Sequence, residues 1–435
     1  MHIAQFVHRY PPAIGGAEAY TARLCEYLAG CGDRLTVWTS AAIELEEFWR
    51  SGRLRRSIPL RATPQAAKTI AIHRYPPLHF PARRYILKAL SLLPLRPWQC
   101  LTMPCNPVCP RMWHDAGRFD GPLDAVHATA FPFSFPILCG LRLARRRGVP
   151  FFLTPFLHIG DVNDPNDRTR RQYTKPHLRW LLRQADGVFV QTHAESDIAL
   201  SLGVKPERVH LQGLGVDAAE CTGGHRDRVR AAWGVSAGEV VIGHLANNSE
   251  EKGTCDLLRA AERAWNAGQL FRIVLAGPEM PNFHTFWQSF GPKQHVTRLG
   301  VLSEEAKRDF FAGIDAFALP SRTDSFGLVL LEAWANGKPN VVYRAGGPGE
   351  LVRHERDGLQ VKCGDIAELA VALGRLATDA ELRRRLGDNG LSRVQTEFGW
   401  ERSLSLFRDL VEKQLRHNGT TYTSKNANRR HSVVT

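Results

Sequence analysis

The stretch VVIGHLANNSEEKGTCDLLRAAERAWNAGQLFRIVLA, Val240 to Ala276, decides the fold. It opens on a short apolar run of strand length, Val240–His244. A polar loop follows, Asn248-Ser249-Glu250-Glu251-Lys252-Gly253-Thr254, and leads into an amphipathic helix, Gly253–Ala267. A second apolar run, Arg272–Ala276, closes the unit. Short apolar strands separated by a helix are the pattern of a parallel α/β sheet. Lys252 stands where the loop enters the helix, a position from which its ammonium and the first helical amides can meet a phosphate together. A solvated lysine in a capping loop is the plain alternative.

Working outward, the same alternation continues on both sides. Downstream, strands are predicted at Val296–Leu299, Ala316–Leu319, Asn340–Tyr343 and Gly358–Val361, with helices at Ser303–Ala312, Gly327–Asn336 and Ile366–Leu376. Upstream, strands are predicted at Ile3–Val7, Leu35–Thr39, Ile70–His73, Ala125–His127, Phe151–Thr154, Gly187–Gln191 and Val209–Gln212. Helices fall between them at Ala17–Ala29, Ser134–Arg147 and, strongly basic, around Thr169–Gln184. Two doubly wound, Rossmann-like domains follow: residues 1–212 and 213–398, with Gly213-Leu214-Gly215-Val216-Asp217 as the crossover. The apolar positions Leu404, Phe407, Leu410, Val411 and Leu415 have helical spacing, so 399–416 reads as a helix returning toward the first domain. The polar end, 417–435, reads as a disordered tail. In doubly wound sheets ligands sit at the carboxyl ends of the strands, so two such domains predict an interdomain cleft holding the chemistry.

Composition narrows the class. With 43% apolar residues, the 435-residue chain can bury sizeable cores. No run of 18 apolar residues occurs, so no spanning helix is expected. Met1–Val7 reads as a first strand, so no signal peptide is expected. Nine scattered cysteines fit a reduced, cytoplasmic protein. The net charge of +14 is concentrated: Phe48–His114 holds twelve Arg and Lys and no Asp or Glu. A nucleic-acid binder with its charge spread over the chain is disfavoured, and no recognised binding module accompanies the basic segment.

Two further stretches carry chemistry. Gly15-Gly16 follows the first strand and opens a helix, where backbone passes close to a ligand and helical amides face an anion. An ordinary strand–helix turn is the alternative. SRTDSFGLVLLEAW, Ser321–Trp334, places Asp324 before an apolar helix and Glu332 within it. Eight helical residues separate such carboxylates by roughly 10–12 Å. Glycosidase pairs stand about 5–9.5 Å apart, which disfavours paired acid/base hydrolysis. An extended nucleotide-sugar matches the longer spacing, with sugar at Asp324, diphosphate at the helix start and ribose at Glu332.

Taken in order, Gly15-Gly16, Lys252, Asp324-Ser325-Phe326-Gly327-Leu328, Glu332 and Gly346-Gly347-Pro348-Gly349-Glu350 resemble the retaining glycosyltransferases of the GT-B fold, in the large family four group, over about Met1 to Arg416. The resemblance implies a nucleotide-sugar (UDP- or GDP-sugar) in the second domain and a glycan or lipid-linked acceptor in the first. The family's E-x7-E motif maps onto Asp324 and Glu332, the first acid being Asp here. Lys252 is implied as the diphosphate cation. His244 stands where the family has an arginine. A histidine near the anomeric carbon is implied, with His127 and His158 as equal candidates. No catalytic metal and no cofactor are implied. Two other readings stay open: a GT-B enzyme of another reaction, such as a sugar-nucleotide epimerase or phosphorylase, and a non-catalytic glycan-binding protein.

The basic segment, about 48–114, reads as an insertion. Within it Arg83–Leu93 reads as a basic amphipathic helix, and Arg83, Arg84, Lys88 and Trp98 are expected to meet an anionic membrane surface, placing the protein at the inner face of the plasma membrane. Cys100, Cys105 and Cys109 with His114 lack the C-x2-C spacing of common zinc sites, and the intervening prolines predict a rigid loop.

Overall fold

The computed structural model describes residues 1–49, 69–160, 166–322 and 324–430, with side chains described as far as Arg416. Half of the basic segment's cations, Arg50 through Lys68, lie outside the described residues, as do 431–435 at the end of the expected tail. Two parallel sheets organise the chain. The first contains β1 (His2–Val7), β2 (Arg34–Ser40), β3 (Ile70–Tyr75), β4 (Ala125–Thr129), β5 (Phe151–Thr154), β6 (Gly187–Val190) and β7 (Val209–Leu211), in the order β3-β2-β1-β4-β5-β6-β7. The second contains β8 (Val240–Leu245), β9 (Phe271–Ala276), β10 (Val296–Arg298), β11 (Ala316–Leu319), β12 (Asn340–Tyr343) and β13 (Gly358–Val361), in the order β10-β9-β8-β11-β12-β13. Central strands such as β4 and β11 are buried along their whole length, because helices cover both faces.

The strand orders fix where a ligand can enter. In the first sheet the direction of winding reverses between β1 and β4, and in the second between β8 and β11. At such a reversal the helices leave on opposite faces and open a crevice beyond the strand ends. The Gly15-Gly16 turn follows β1, the Lys252 loop follows β8, and the Asp324 turn follows β11. All three therefore belong to switch-point strands.

Two chain crossings join the domains side by side. Val216 donates its N–H to the Phe398 carbonyl at 2.8 Å, so the outgoing and returning segments are bonded to each other. The last helix, Trp400–Arg430, then packs on the first domain. Phe407 is fully buried against His127, Phe152 and Phe189, and Arg408 pairs with buried Asp33 at 2.9 Å. The backbone of this helix continues past Leu415, where its apolar stripe ends. It runs to Arg430, through residues read from the sequence as a disordered tail.

Two local outcomes differ from the sequence reading. The basic run read as one helix is two, Arg168–Tyr173 and Pro176–Gln184. Pro176 lacks an N–H and forces Lys175 into extended geometry (φ −54, ψ 149), which stops the first helix. The segment read as an insertion supplies the edge strand β3, and its helices Arg96–Thr102 and Pro110–Ala116 bury Cys100, Cys109, Met112 and Ala116 in the first domain's core. Burial pushes the Cys100 and Cys109 thiols far up, as expected of packed thiols.

Candidate functional site

The second domain builds its site from two turns pressed together. Lys252-Gly253 ends the loop after β8, and Gly253 sits at φ +75 so close to the next turn that an added Cβ would stand 1.8 Å from the Pro320 carbonyl. Only glycine admits that approach. It delivers Lys252 to the Asp324 turn, where Nζ donates to the Asp324 carboxylate. Burial opposes ionisation of Asp324, but Lys252, with a smaller contribution from His158, holds its carboxyl below the usual range. Both members of the pair are only about one-fifth exposed, at 21% and 18%.

The Asp324 turn is buttressed from the other side by Gly346-Gly347. Gly347 N–H donates to the Asp324 carbonyl at 2.9 Å, and a Cβ on Gly347 would stand 2.0 Å from the Ser325 carbonyl. The helix then runs Leu328–Ala335, with Gly327 left-handed at φ 88 before it. Phe326 is buried against Phe398, so it supports the turn from inside. Ser325, Gly327 and Leu328 remain partly exposed beside Asp324. Glu332, two turns on, receives Lys307 Nζ at 3.0 Å. Burial raises the Glu332 carboxyl above its ordinary range, and Lys307 only partly offsets this. The two acids thus sit in separate charge pairs, Asp324 in the turn before the helix and Glu332 within it.

The structure divides the histidines that the sequence left equal. His127 lies inside β4, which continues two residues further than expected. Its Nδ1 meets Gln5 Oε1 at 2.7 Å, its Nε2 meets Thr154 Oγ1 at 2.8 Å, and burial lowers its pKa to about 3. It is a neutral core histidine, walled off by Phe407. His158, past the end of β5, stacks on Tyr173 at 4.6 Å and lies near enough to Asp324 to act on its charge. His244 also departs from its expected role. It is fully buried, its ring bonded to the Ala318 carbonyl at 2.8 Å and to Thr254 Oγ1 at 2.9 Å, with its pKa lowered to about 4 by burial. A neutral, satisfied imidazole cannot stand in for an arginine at a phosphate.

Other contacts were not foreseen from the sequence. Gly346 N–H donates to the Gly160 carbonyl of the first domain at 3.2 Å, two residues from His158. The Glu350 carboxylate accepts the His193 and Ala194 N–H groups at 2.6 and 2.8 Å, across the domain boundary at the start of the helix His193–Ser201. The Gly346–Glu350 stretch is therefore an interdomain strap as well as a buttress. In the first domain Glu18 lies under the Gly15-Gly16 turn, bonded by Arg9 Nε at 2.8 Å and His8 Nε2 at 3.1 Å. A Cβ on Gly15 would stand 2.2 Å from Glu18 Oε2, so this buried cluster sets the turn. The signal for Glu18 was a lone acid at the start of a helix beside two glycines.

A cavity of about 770 Å³ lies at the hinge, lined among others by Gln212, Phe326, Glu350, Arg393 and Arg402. It touches neither Lys252, Asp324 nor Glu332, so it lies behind the Asp324 turn, on the side of Phe326. Among the described residues no group of three or more His, Cys, Asp or Glu is placed to hold a metal ion.

Comparison with known proteins agrees with this geometry. Residues 15–215 match the model of the glycosyl transferase 4-like domain, and residues 225–393 match glycosyl transferases group 1. A lipopolysaccharide core biosynthesis glycosyltransferase of Rhizobium meliloti is 32% identical over 174 residues, covering 40% of this chain and 49% of that protein. The 2-deoxystreptamine N-acetyl-D-glucosaminyltransferase of Streptomyces fradiae is 27% identical over 306 residues, covering 68% and 70%. The chain thus spans about half the length of the first and 70% of the second. Among solved structures, sucrose-phosphate synthase from Thermosynechococcus elongatus superposes with a TM-score of 0.72 at 20% identity, covering 96% of this chain and 99% of that one. Anabaena HepE in complex with UDP-glucose superposes at 0.65 with 19% identity, covering 97% and 100%. Both share the GT-B arrangement of two facing parallel sheets.

Proposed function

Because the chain belongs to the glycosyl transferases group 1 family, we propose that it is a retaining glycosyltransferase moving a hexose from a UDP- or GDP-sugar to a glycan or lipid-linked acceptor. The product belongs to a cell-surface polysaccharide or glycolipid made on the cytoplasmic side. The observation that carries this reading is the convergence of Lys252 with Asp324 at the switch-point ends of β8 and β11, with Glu332 in the helix that follows. The UDP-glucose held by HepE and the lipopolysaccharide core role of the Rhizobium meliloti relative support it.

In this reading the diphosphate draws Lys252 away from Asp324, and the released carboxylate accepts sugar hydroxyls. Glu332, oriented by Lys307, accepts the ribose diol. Gly15-Gly16 closes over the diphosphate from the first domain, and His158 lies on the acceptor side. The bond from the anomeric carbon to the diphosphate oxygen breaks. The acceptor oxygen bonds to that carbon from the same face, and its proton passes to the departing phosphate. Lys252 and the helical amides carry the developing negative charge, the largest contribution in sites of this type. Closure of the domains keeps water from competing as acceptor.

The test is a thermal-shift screen against UDP-, GDP- and ADP-sugars, followed by donor hydrolysis. A true donor raises the melting temperature by mass action. Hydrolysis present in the native protein and lost in Lys252→Ala and Glu332→Ala is the expected result. No shift with any nucleotide-sugar, or hydrolysis indifferent to both substitutions, overturns the reading.

A further inference from the structure

The helix Arg83–Leu90 turns only Arg83 and Leu87 inward, so it buries a cation and leaves most of its apolar side chains in water. A basic amphipathic helix on a soluble surface buries its apolar side chains and leaves its cations in water. Here Arg83 is 3% exposed, and its guanidinium donates to the carbonyls of Leu78, Pro104 and Asn106 at 3.0, 3.2 and 2.6 Å. Tyr85 (77% exposed), Ile86 (44%), Leu92 (76%), Leu93 (49%), Leu95 (63%) and Trp98 (37%) point outward instead. Of the fifteen exposed large hydrophobics among the described residues, eight fall between Leu78 and Trp98. Single exposed apolar side chains need no explanation, but a contiguous group does.

The ridge is built and braced. Trp98 Nε1 donates to the Leu90 carbonyl at 2.9 Å, and Gln99 Nε2 to the Ser91 carbonyl at 3.1 Å. These bonds fix the turn that carries Leu92, Leu93 and Leu95. Arg84 and Lys88 are exposed on the same helix, Arg96 is half-buried beside Trp98, and no acidic residue occurs from Phe48 to His114. The ridge follows the carboxyl end of β3, the end at which Gly15-Gly16 follows β1. Arg74 of β3 donates to the carbonyls of Tyr10 and Pro11, tying the two segments together. It therefore stands on the cleft side of the first domain.

We propose that this ridge inserts into an anionic lipid bilayer, with Tyr85, Ile86, Leu92, Leu93, Leu95 and Trp98 entering the interface and Arg84, Lys88 and Arg96 meeting lipid phosphates. Charge decides the occupant: apolar tips within an acid-free basic collar complement a negatively charged apolar surface. Arg83, expected to face the membrane, is instead the internal tether that holds the ridge outward. The inference is independent of the donor chemistry, and it sets a lipid-linked acceptor beside the first domain's face of the cleft.

The experiment is flotation of the full chain with phosphatidylcholine vesicles, with and without phosphatidylglycerol, at low and high salt. The native protein floats with the anionic vesicles and is released by salt. Leu92→Ser with Leu95→Ser abolishes flotation without unfolding, since both side chains are already in water. Arg84→Ala with Lys88→Ala lowers the partition coefficient roughly thirtyfold, about fivefold for each charge. Nucleotide-sugar thermal shifts run on the same variants stay unchanged, separating failure here from failure of the donor reading. Absence of flotation at low salt, or wild-type flotation of the serine variant, overturns the proposal. So does a dimer in light scattering that the serine variant converts to monomer, because the ridge would then cover a second copy.

Discussion

Replacing Lys252 by alanine removes a side chain that pairs with Asp324 and, in the proposed function, carries the leaving group's charge. In the protein as it stands Lys252 neutralises Asp324, a carboxylate that burial would otherwise push up. With both side chains about one-fifth exposed, loss of this charge-assisted bond costs about 1–2 kcal/mol of stability. Each kcal/mol lowers the melting temperature of a domain this size by roughly 2–4 °C. The Asp324 pKa is depressed in the folded state, so the pair's contribution is present above the unfolded aspartate value, about 3.9. It is lost as pH falls through the lower folded value. Lys252→Ala therefore flattens the acid limb of the stability curve. Catalysis responds more strongly: losing a donor to developing charge costs about 2.7–4 kcal/mol, or 10²–10³-fold in kcat. The assay is donor turnover with chemical unfolding run alongside. Lys252→Ala with Asp324→Asn recovers most of the stability and none of the rate. A single variant within about threefold of native kcat, or a double variant that recovers rate with stability, refutes the reasoning.

Three further outcomes are expected. Glu332 has a raised carboxyl pKa, so donor affinity falls on acidification at a higher pH than an ordinary glutamate would give. Lys307→Met moves that midpoint further up and Glu332→Gln abolishes the dependence, both read by titration calorimetry across pH. His127→Ala costs about 2–4 kcal/mol in denaturant unfolding, through a cavity and unpaired Gln5 and Thr154 groups. His158→Ala instead leaves stability within about 1 kcal/mol, its ring being partly exposed, and lowers kcat. Gly347→Ala drives a Cβ to 2.0 Å from the Ser325 carbonyl. The resulting strain is about 1–3 kcal/mol, seen as faster hydrogen exchange around Asp324 and weaker donor binding.

Much of this protein is written locally. The βαβ alternation was legible from Val240–Ala276 outward, because a parallel strand covered on both faces must be apolar throughout and the helices between must show one apolar stripe. Lys252 and Asp324 were legible for a related reason: each sits at a strand-to-helix junction, and strand ends at a switch point are where such folds hold ligands. Glu332 followed from helical spacing. The strand inside the basic run was also legible, as Ile70–His73, two residues short of its observed end at Tyr75, although that segment's membership of the first domain's core was not.

What the sequence could not decide was which side chains face the cleft, because that depends on what covers each strand from far along the chain. His127 is closed off by Phe407 of the terminal helix, and His244 is consumed by partners on β11 and the helix after its own strand. Glu332 meets Lys307 from a different helix, and Glu350 reaches amides 156 and 157 residues away. Arg83 lies inside with Leu87 while Tyr85 and Ile86 lie outside, and three backbone carbonyls converge on the buried guanidinium. Periodicity specifies that a helix has two unlike faces. Which face turns inward is settled by the hydrogen-bond acceptors and apolar surface that the rest of the fold presents to it, since a buried guanidinium is stable only where its donors are met.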